Sequence, residues 1–289
     1  MPTIKVIEQH ATNIRRNIIR MIAAAGSGHP AGSLGLADIF AALYFEILKF
    51  NPQNPDDPDR DILVVSNGHV CPVLYATLAE AGLIPEEELM TLRQFNSRLQ
   101  GHPHRAALPW LETTSGPLGE GLSQAAGAAW VIASAAKQSS ATENDSGLLR
   151  LSTPRNDRYV YCITGDGELD EGNIWEGAMF AAKYRLGNLI VIVDRNNIQL
   201  DGDTEEIMPL EILHDKWAAF GWQVIEIDGN NVQSIIDGCS EARAETDRPS
   251  VILAHTTPGK GVSFMENDYK WHGTAPDEEQ ARKALEELR

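Results

Sequence analysis

Two uninterrupted apolar runs, each ending in a polar turn, constrain this chain more than any other feature of it. Tyr159-Val160-Tyr161-Cys162-Ile163 leads into Gly165-Asp166-Gly167, and Leu189 to Val193 leads into Asn196-Asn197, with 28 residues (168 to 195) between the two polar groups. Short runs without alternation are expected of strands buried on both faces of a parallel sheet. The polar groups then sit at the C-terminal ends of neighbouring strands, where open α/β sheets bind ligands. A carboxylate between two glycines and an amide oxygen one strand away suit a small hard cation of the magnesium type holding a diphosphate. Gly167-Glu168-Leu169-Asp170-Glu171-Gly172-Asn173 runs into the helical Ile174 to Tyr184, so backbone N–H groups at a helix start would face the anion. Gly-Asp-Gly alone is also an ordinary turn capped by its Asp. The asparagines at the end of the next strand decide for the site.

The remaining pattern is that of an α/β fold, a parallel β-sheet with helices on both faces. Strands are expected at 62–65, 223–227 and 251–254 as well. Apolar residues at helical spacing in Ile14, Ile18, Ile22 and in Leu36, Ile39, Leu43, Ile47 predict two early helices, with others at about 121–138, 173–184, 208–219, 232–245 and 277–288. Residues 137–158 are polar, lack a clear period and read as a mobile surface insertion. No repeat and no long linker divides the 289 residues, so a single domain over 1–289 is expected.

Composition excludes several classes of function. A net charge of −17 argues against nucleic acid or an anionic membrane as partner. Three widely spaced cysteines, Cys71, Cys162 and Cys239, fit a reducing, cytoplasmic setting without disulfides or zinc. Neither a signal peptide nor a transmembrane span is read from the sequence.

Four of the eight histidines lie in glycine-flanked loops: His29 in Gly-Ser-Gly-His-Pro, His69 in Asn-Gly-His, His102 in Gly-His-Pro and His272 in Trp-His-Gly. Such turns aim side chains into clefts, and imidazole titrates near working pH, so proton transfer and hydrogen bonding to a polyhydroxylated substrate are suitable uses. Thr113 to Gly121 is a further glycine-punctuated loop entering an alanine-rich helix; it would either let backbone and Leu118 approach a flat ring or serve as an ordinarily packed loop-to-helix junction.

In this order, SGHP, NGH, GHP, GPLG, GDG with NN, and HG resemble the N-terminal, diphosphate-binding half of transketolase, a thiamine diphosphate enzyme, from about Ile14 to Pro276. The resemblance implies the thiamine diphosphate-binding fold and transfer of a two-carbon ketol unit between sugars or sugar phosphates. By position it implies that Asp166, Asn196 and the Ile198 carbonyl hold magnesium (or calcium or manganese). It further implies that Gly167 touches the diphosphate, that His69 and His272 lie near it, and that Gly116 and Leu118 contact the cofactor rings. His29, His102 and His272 would serve substrate and protons, and Glu171 would lie at a subunit interface and communicate between active sites. His104 and Arg105 depart from the small or acidic residue usual after GHP.

The chain ends at Arg289, before the family's pyrimidine-binding domain with its activating glutamate. A split enzyme is therefore expected, in which this chain and a C-terminal partner subunit form a two-plus-two heterotetramer. A separate alpha-type subunit of a thiamine-dependent 2-oxo acid dehydrogenase also carries GDG and N, but His29, His69, GHP and the late WHG favour the first. A non-catalytic cofactor-binding subunit is the third reading.

Overall fold

A computed structural model describes residues 2–140 and 158–289. Five parallel strands, β1 (Ile62–Val65), β2 (Val160–Gly165), β3 (Leu189–Arg195), β6 (Gln223–Asp228) and β7 (Ser250–His255), form one sheet in the order β1-β2-β3-β7-β6. A small antiparallel pair, β4 (Ile198–Gln199) and β5 (Gly202–Asp203), follows β3. The expected α/β class and all five expected strands are present.

Alternate residues of each central strand enter two separate cores. Tyr161, Ile163, Ile190, Ile192, Ile225 and Ile252 pack with α1 (Ile4–Ala25), α3 (Ala37–Ala42), α4 (Cys71–Glu80) and α9 (Val232–Ala244). Val160, Cys162, Leu189, Val191, Val193 and Leu253 pack with α5 (Glu120–Ser140), α6 (Gly172–Lys183) and α8 (Leu213–Ala219). Both faces of the sheet are thus apolar, which is why the runs are continuous and rich in β-branched residues. The terminal helix α10 (Glu278–Glu287) opens with a capping box between Asp277 and Gln280 and lies on α1.

Two expected helices are corrected. The second early helix is three pieces: α2 (Pro30–Gly35), α3, and a π-helical turn over Leu43–Ile47. The helix expected over 208–219 begins at Leu213, as α8; the short α7 (Thr204–Ile207) precedes the expected span and ends where Pro209 removes a backbone donor and disfavours helix at Met208. Helix α4 had no counterpart among the expected elements. Of the insertion expected at 137–158, residues 137–140 belong to α5, Arg158 is described, and 141–157 lie outside the described residues. Among the described residues, no helix is long and apolar enough to cross a membrane.

Ile192 is 1% exposed in the central strand and faces the first core. Ile192→Ala should lower the unfolding free energy by about 2–5 kcal/mol, measured by urea denaturation; a loss below about 1 kcal/mol would contradict the packing described.

Candidate functional site

Parallel pairing aligns the C-terminal ends of β1, β2 and β3, and their following loops converge on one cleft of about 320 Å³. In-register pairing sets Gly165 opposite Asp194. Beyond them, Asp166 caps a short 3₁₀ turn, its Oδ1 accepting the Gly167 N–H at 2.8 Å. Its Oδ2 accepts from the Asn197 N–H at 2.7 Å, Arg195 Nη1 at 3.1 Å and the Thr204 hydroxyl at 3.3 Å. Asn197 adopts φ +63°, the left-handed conformation that asparagine tolerates, as it turns the chain after β3. Arg195 is itself buried and also binds Glu205 at 2.6 Å and Glu211 at 2.9 Å.

The Asn196 amide is fixed in direction. Its Nδ2 donates to Asp194 Oδ2 at 2.7 Å, and its Oδ1 accepts the Ile198 N–H at 3.0 Å. Asp194 also accepts from the Thr256 hydroxyl. Burial, with the Asp166 charge nearby, pushes the Asp194 carboxyl up to about 7 against these hydrogen bonds. Burial likewise raises Asp166, partly offset by Arg195.

Three imidazoles from remote segments form a cluster. The His29 and His69 ring centres are 5.1 Å apart, His69 and His272 5.2 Å, and His29 and His272 5.6 Å. His29 precedes the Pro30 that starts α2, and Ser33 donates to its carbonyl at 2.7 Å. His69 lies in a 3₁₀ turn whose Gly68 leaves no room for a Cβ beside Ser115. His272 follows the 3₁₀ turn Tyr269–Trp271. His102 lines the same cleft from an exposed loop, held where Tyr75 donates to the Gln100 carbonyl at 3.0 Å.

Burial lowers His29 to about 4, helped by His272, Arg93 and His102, and drives His69 well below the usual histidine value. Burial also lowers His102 and His272. At neutral pH all four are therefore neutral, and each ring can accept one hydrogen bond and donate another.

His29, His69, His102, Gly116, Leu118, Asp166, Gly167, Asn196, Ile198 and His272 all line this cleft. Among the candidates read from sequence, Glu171 does not. It is exposed at the start of α6, beside Gly119. Sequence reasoning missed Asn67, Glu168, Asp194, Gln199 and Leu200, which also line the cleft. Asn67 and Asp194 sit beside motif residues at strand ends, and that placement was the available signal.

The residues fit a polar, anionic ligand carrying a hard cation. Both side-chain polar atoms of Asn67 and the Nδ1 atoms of His29 and His272 are buried without a hydrogen-bond partner, which is costly unless a ligand or water supplies one. Among the described residues, no group of three or more His, Cys, Asp or Glu could hold a metal ion by itself. A carboxylate, an amide oxygen and a backbone carbonyl would leave room for ligand oxygens to complete an octahedron.

Comparison with known proteins agrees with this geometry. A family model described as "Transketolase, thiamine diphosphate binding domain" matches residues 6–288. The 6-deoxy-6-sulfo-D-fructose transketolase subunit SqwG of Clostridium sp. strain MSTE9 is 41% identical over 281 residues, covering 97% of this chain and 95% of that protein. An apulose-4-phosphate transketolase subunit of Phocaeicola vulgatus is 38% identical over 285 residues, 99% of this chain and 94% of its own length. Human transketolase is 33% identical over 285 residues, but the match spans 42% of its length. The solved transketolase of Leishmania mexicana superposes with a TM-score of 0.88 at 35% identity, covering 100% of this chain and 41% of that one.

The depressed His29 pKa has a consequence for acid stability. Between about 6.5 and 4 the unfolded chain binds a proton at His29 that the folded chain does not, so this contribution to stability is present above 6.5 and lost as pH falls. Denaturation of wild type and His29→Gln across that range should show a steeper acid loss in wild type. Identical slopes would contradict the buried, neutral ring.

Proposed function

This chain belongs to the transketolase family, and we propose that it is the cofactor-anchoring subunit of a two-chain transketolase, moving a two-carbon ketol unit from a ketose donor to an aldose acceptor. The convergence of the candidate residues in one cleft at the strand ends carries this reading. Near-complete coverage of relatives that are themselves named as transketolase subunits supports the need for a partner chain. The partner is a C-terminal, pyrimidine-binding transketolase subunit, and the assembly is a two-plus-two heterotetramer in the cytoplasm. Residues 1–289 form a single thiamine diphosphate-binding domain in this reading.

Thiamine diphosphate, when bound, supplies the carbanion chemistry. Asp166, Asn196 and the Ile198 carbonyl hold magnesium, or calcium or manganese in its place, against the diphosphate. Asp194, by accepting from the Asn196 Nδ2, leaves the amide oxygen as the atom available to the cation. Gly167 lets backbone approach the diphosphate, and His69 and His272 donate hydrogen bonds beside it. Gly116 and Leu118 form the wall against the cofactor rings. His29, His102 and His272 bind substrate hydroxyls and move protons, for which their neutral rings are suited. Glu171, on the outer surface, takes part in the contact between copies of the chain and not in the cleft. The substrates are sugars or sugar phosphates; the relatives named for 6-deoxy-6-sulfo-D-fructose and apulose-4-phosphate support a ketose carrying an anionic group.

Mixing this chain with a C-terminal transketolase-type subunit should give ketol transfer that neither chain shows alone. Turnover by this chain alone, or 2-oxo acid decarboxylation by the mixture, would contradict the proposal. In the same complex Asp166→Ala should weaken magnesium-dependent thiamine diphosphate binding by more than about hundredfold, since loss of a direct ligand exceeds the effect of its supporting shell. Unchanged affinity would remove Asp166 from the metal site.

A further inference from the structure

The cleft wall that carries Gly116 and Leu118 has little side-chain packing of its own. Leu118 is 39% exposed, and Gly119, which follows it, has φ +83°. A Cβ on Gly119 would lie 2.7 Å from the Glu171 Cβ, so this turn requires glycine and takes its position from backbone hydrogen bonds. Those bonds lead to Glu168, a carboxylate 2% exposed that lines the cleft.

Glu168 Oε1 accepts the Gly119 N–H at 2.7 Å and the Ser66 hydroxyl, and Oε2 accepts the Gly165 N–H at 3.0 Å. The Ser66 oxygen in turn accepts the Gly121 N–H at 3.0 Å. From α6, Asn173 Nδ2 donates to the Gly119 carbonyl at 2.9 Å. One carboxylate thus joins the end of β1, the end of β2 and the loop holding Leu118. Its partners are an O–H and two N–H groups, all donors, so only a group that accepts at both oxygens satisfies them. Removing an acceptor there leaves buried donors unpaired, which costs more than the bond itself contributes.

We propose that Glu168 is a positioning residue that sets the Gly116–Leu118 wall at its distance from the Asp166 end of the cleft, and so governs affinity for the ring portion of the cofactor. The inference rests on the proposed function, in which that wall meets the rings while Asp166, Asn196 and Ile198 hold the metal–diphosphate end. Glutamine keeps the size of the side chain but must present an NH₂ to one of these donors. Ser66→Ala disturbs the same network from the end of β1, removing the acceptor of the Gly121 N–H without touching the Gly165 N–H.

The test compares two ligands in the reconstituted two-chain complex with magnesium: thiamine diphosphate, and inorganic diphosphate, which has no rings. Calorimetric titration of Glu168→Gln should show thiamine diphosphate bound about tenfold more weakly, a change of about 1.4 kcal/mol. Inorganic diphosphate affinity should change by less than about twofold. Ser66→Ala should shift the ratio of the two affinities in the same direction, and it serves alone if Glu168→Gln does not fold. Adding Glu168→Gln to Leu118→Ala should cost little more than Leu118→Ala, because the two changes remove the same contact. Equal weakening of both ligands, or no change in either, overturns the positioning role. A wild-type complex that binds no thiamine diphosphate overturns the proposed function instead, so the two failures are distinct.

Discussion

In-register pairing of β2 with β3 is the constraint on which the site depends, because it brings Gly165 level with Asp194 and leaves Asp166 and Asn196 to turn into the same space. Slipping a strand by one residue would exchange its two buried faces, and both faces here are filled with apolar, largely β-branched side chains from separate cores. The register is therefore fixed by packing far from the chemistry. Asp166 then completes the junction, accepting from Asn197, Arg195 and Thr204 across the gap between the two strand ends. A buried carboxylate of this kind is tolerable only because its charge is met by Arg195 and by N–H groups.

The same arrangement explains how a chain of net charge −17 can present a site for an anion. Its general field repels phosphate, so attraction has to be local. The local groups are a carboxylate and an amide oxygen that suit a cation, and neutral imidazoles that can donate to an anion. Keeping the imidazoles neutral follows from crowding them together: burial and three rings within 5.1–5.6 Å of one another disfavour protonation. Neutral rings can then both accept and donate, which charged ones cannot.

The sheet and most of the site were legible in the sequence for one physical reason: both are encoded locally. Strands buried on two faces leave continuous apolar runs, and the loops that follow them carry glycines with one or two polar residues. What was not legible depends on remote partners. Helix α4 is buried along most of its length, from Cys71 to Leu78, so it lacks the amphipathic period that marks a surface helix. Glu168 stands in an acidic stretch that resembles a solvated helix start; its burial depends on Ser66 and Gly119, which are distant in sequence. Glu171 bears the same character three residues later and remains outside the cleft. The resemblance to transketolase, carried by motifs from SGHP to HG, supplied the chemistry that spacing alone left open, and the family match over residues 6–288 agrees with it.

The proposed function requires the strand ends to form the anchoring end of a metal–diphosphate site. Its most direct measurement is a crystal structure of the two-chain complex with manganese and thiamine diphosphate, using anomalous scattering to locate the metal. One manganese is expected beside Asp166, Asn196 and the Ile198 carbonyl, with the diphosphate bound at the same end of the cleft. Thiamine diphosphate bound with its diphosphate elsewhere, or manganese bound away from these three residues, would contradict it.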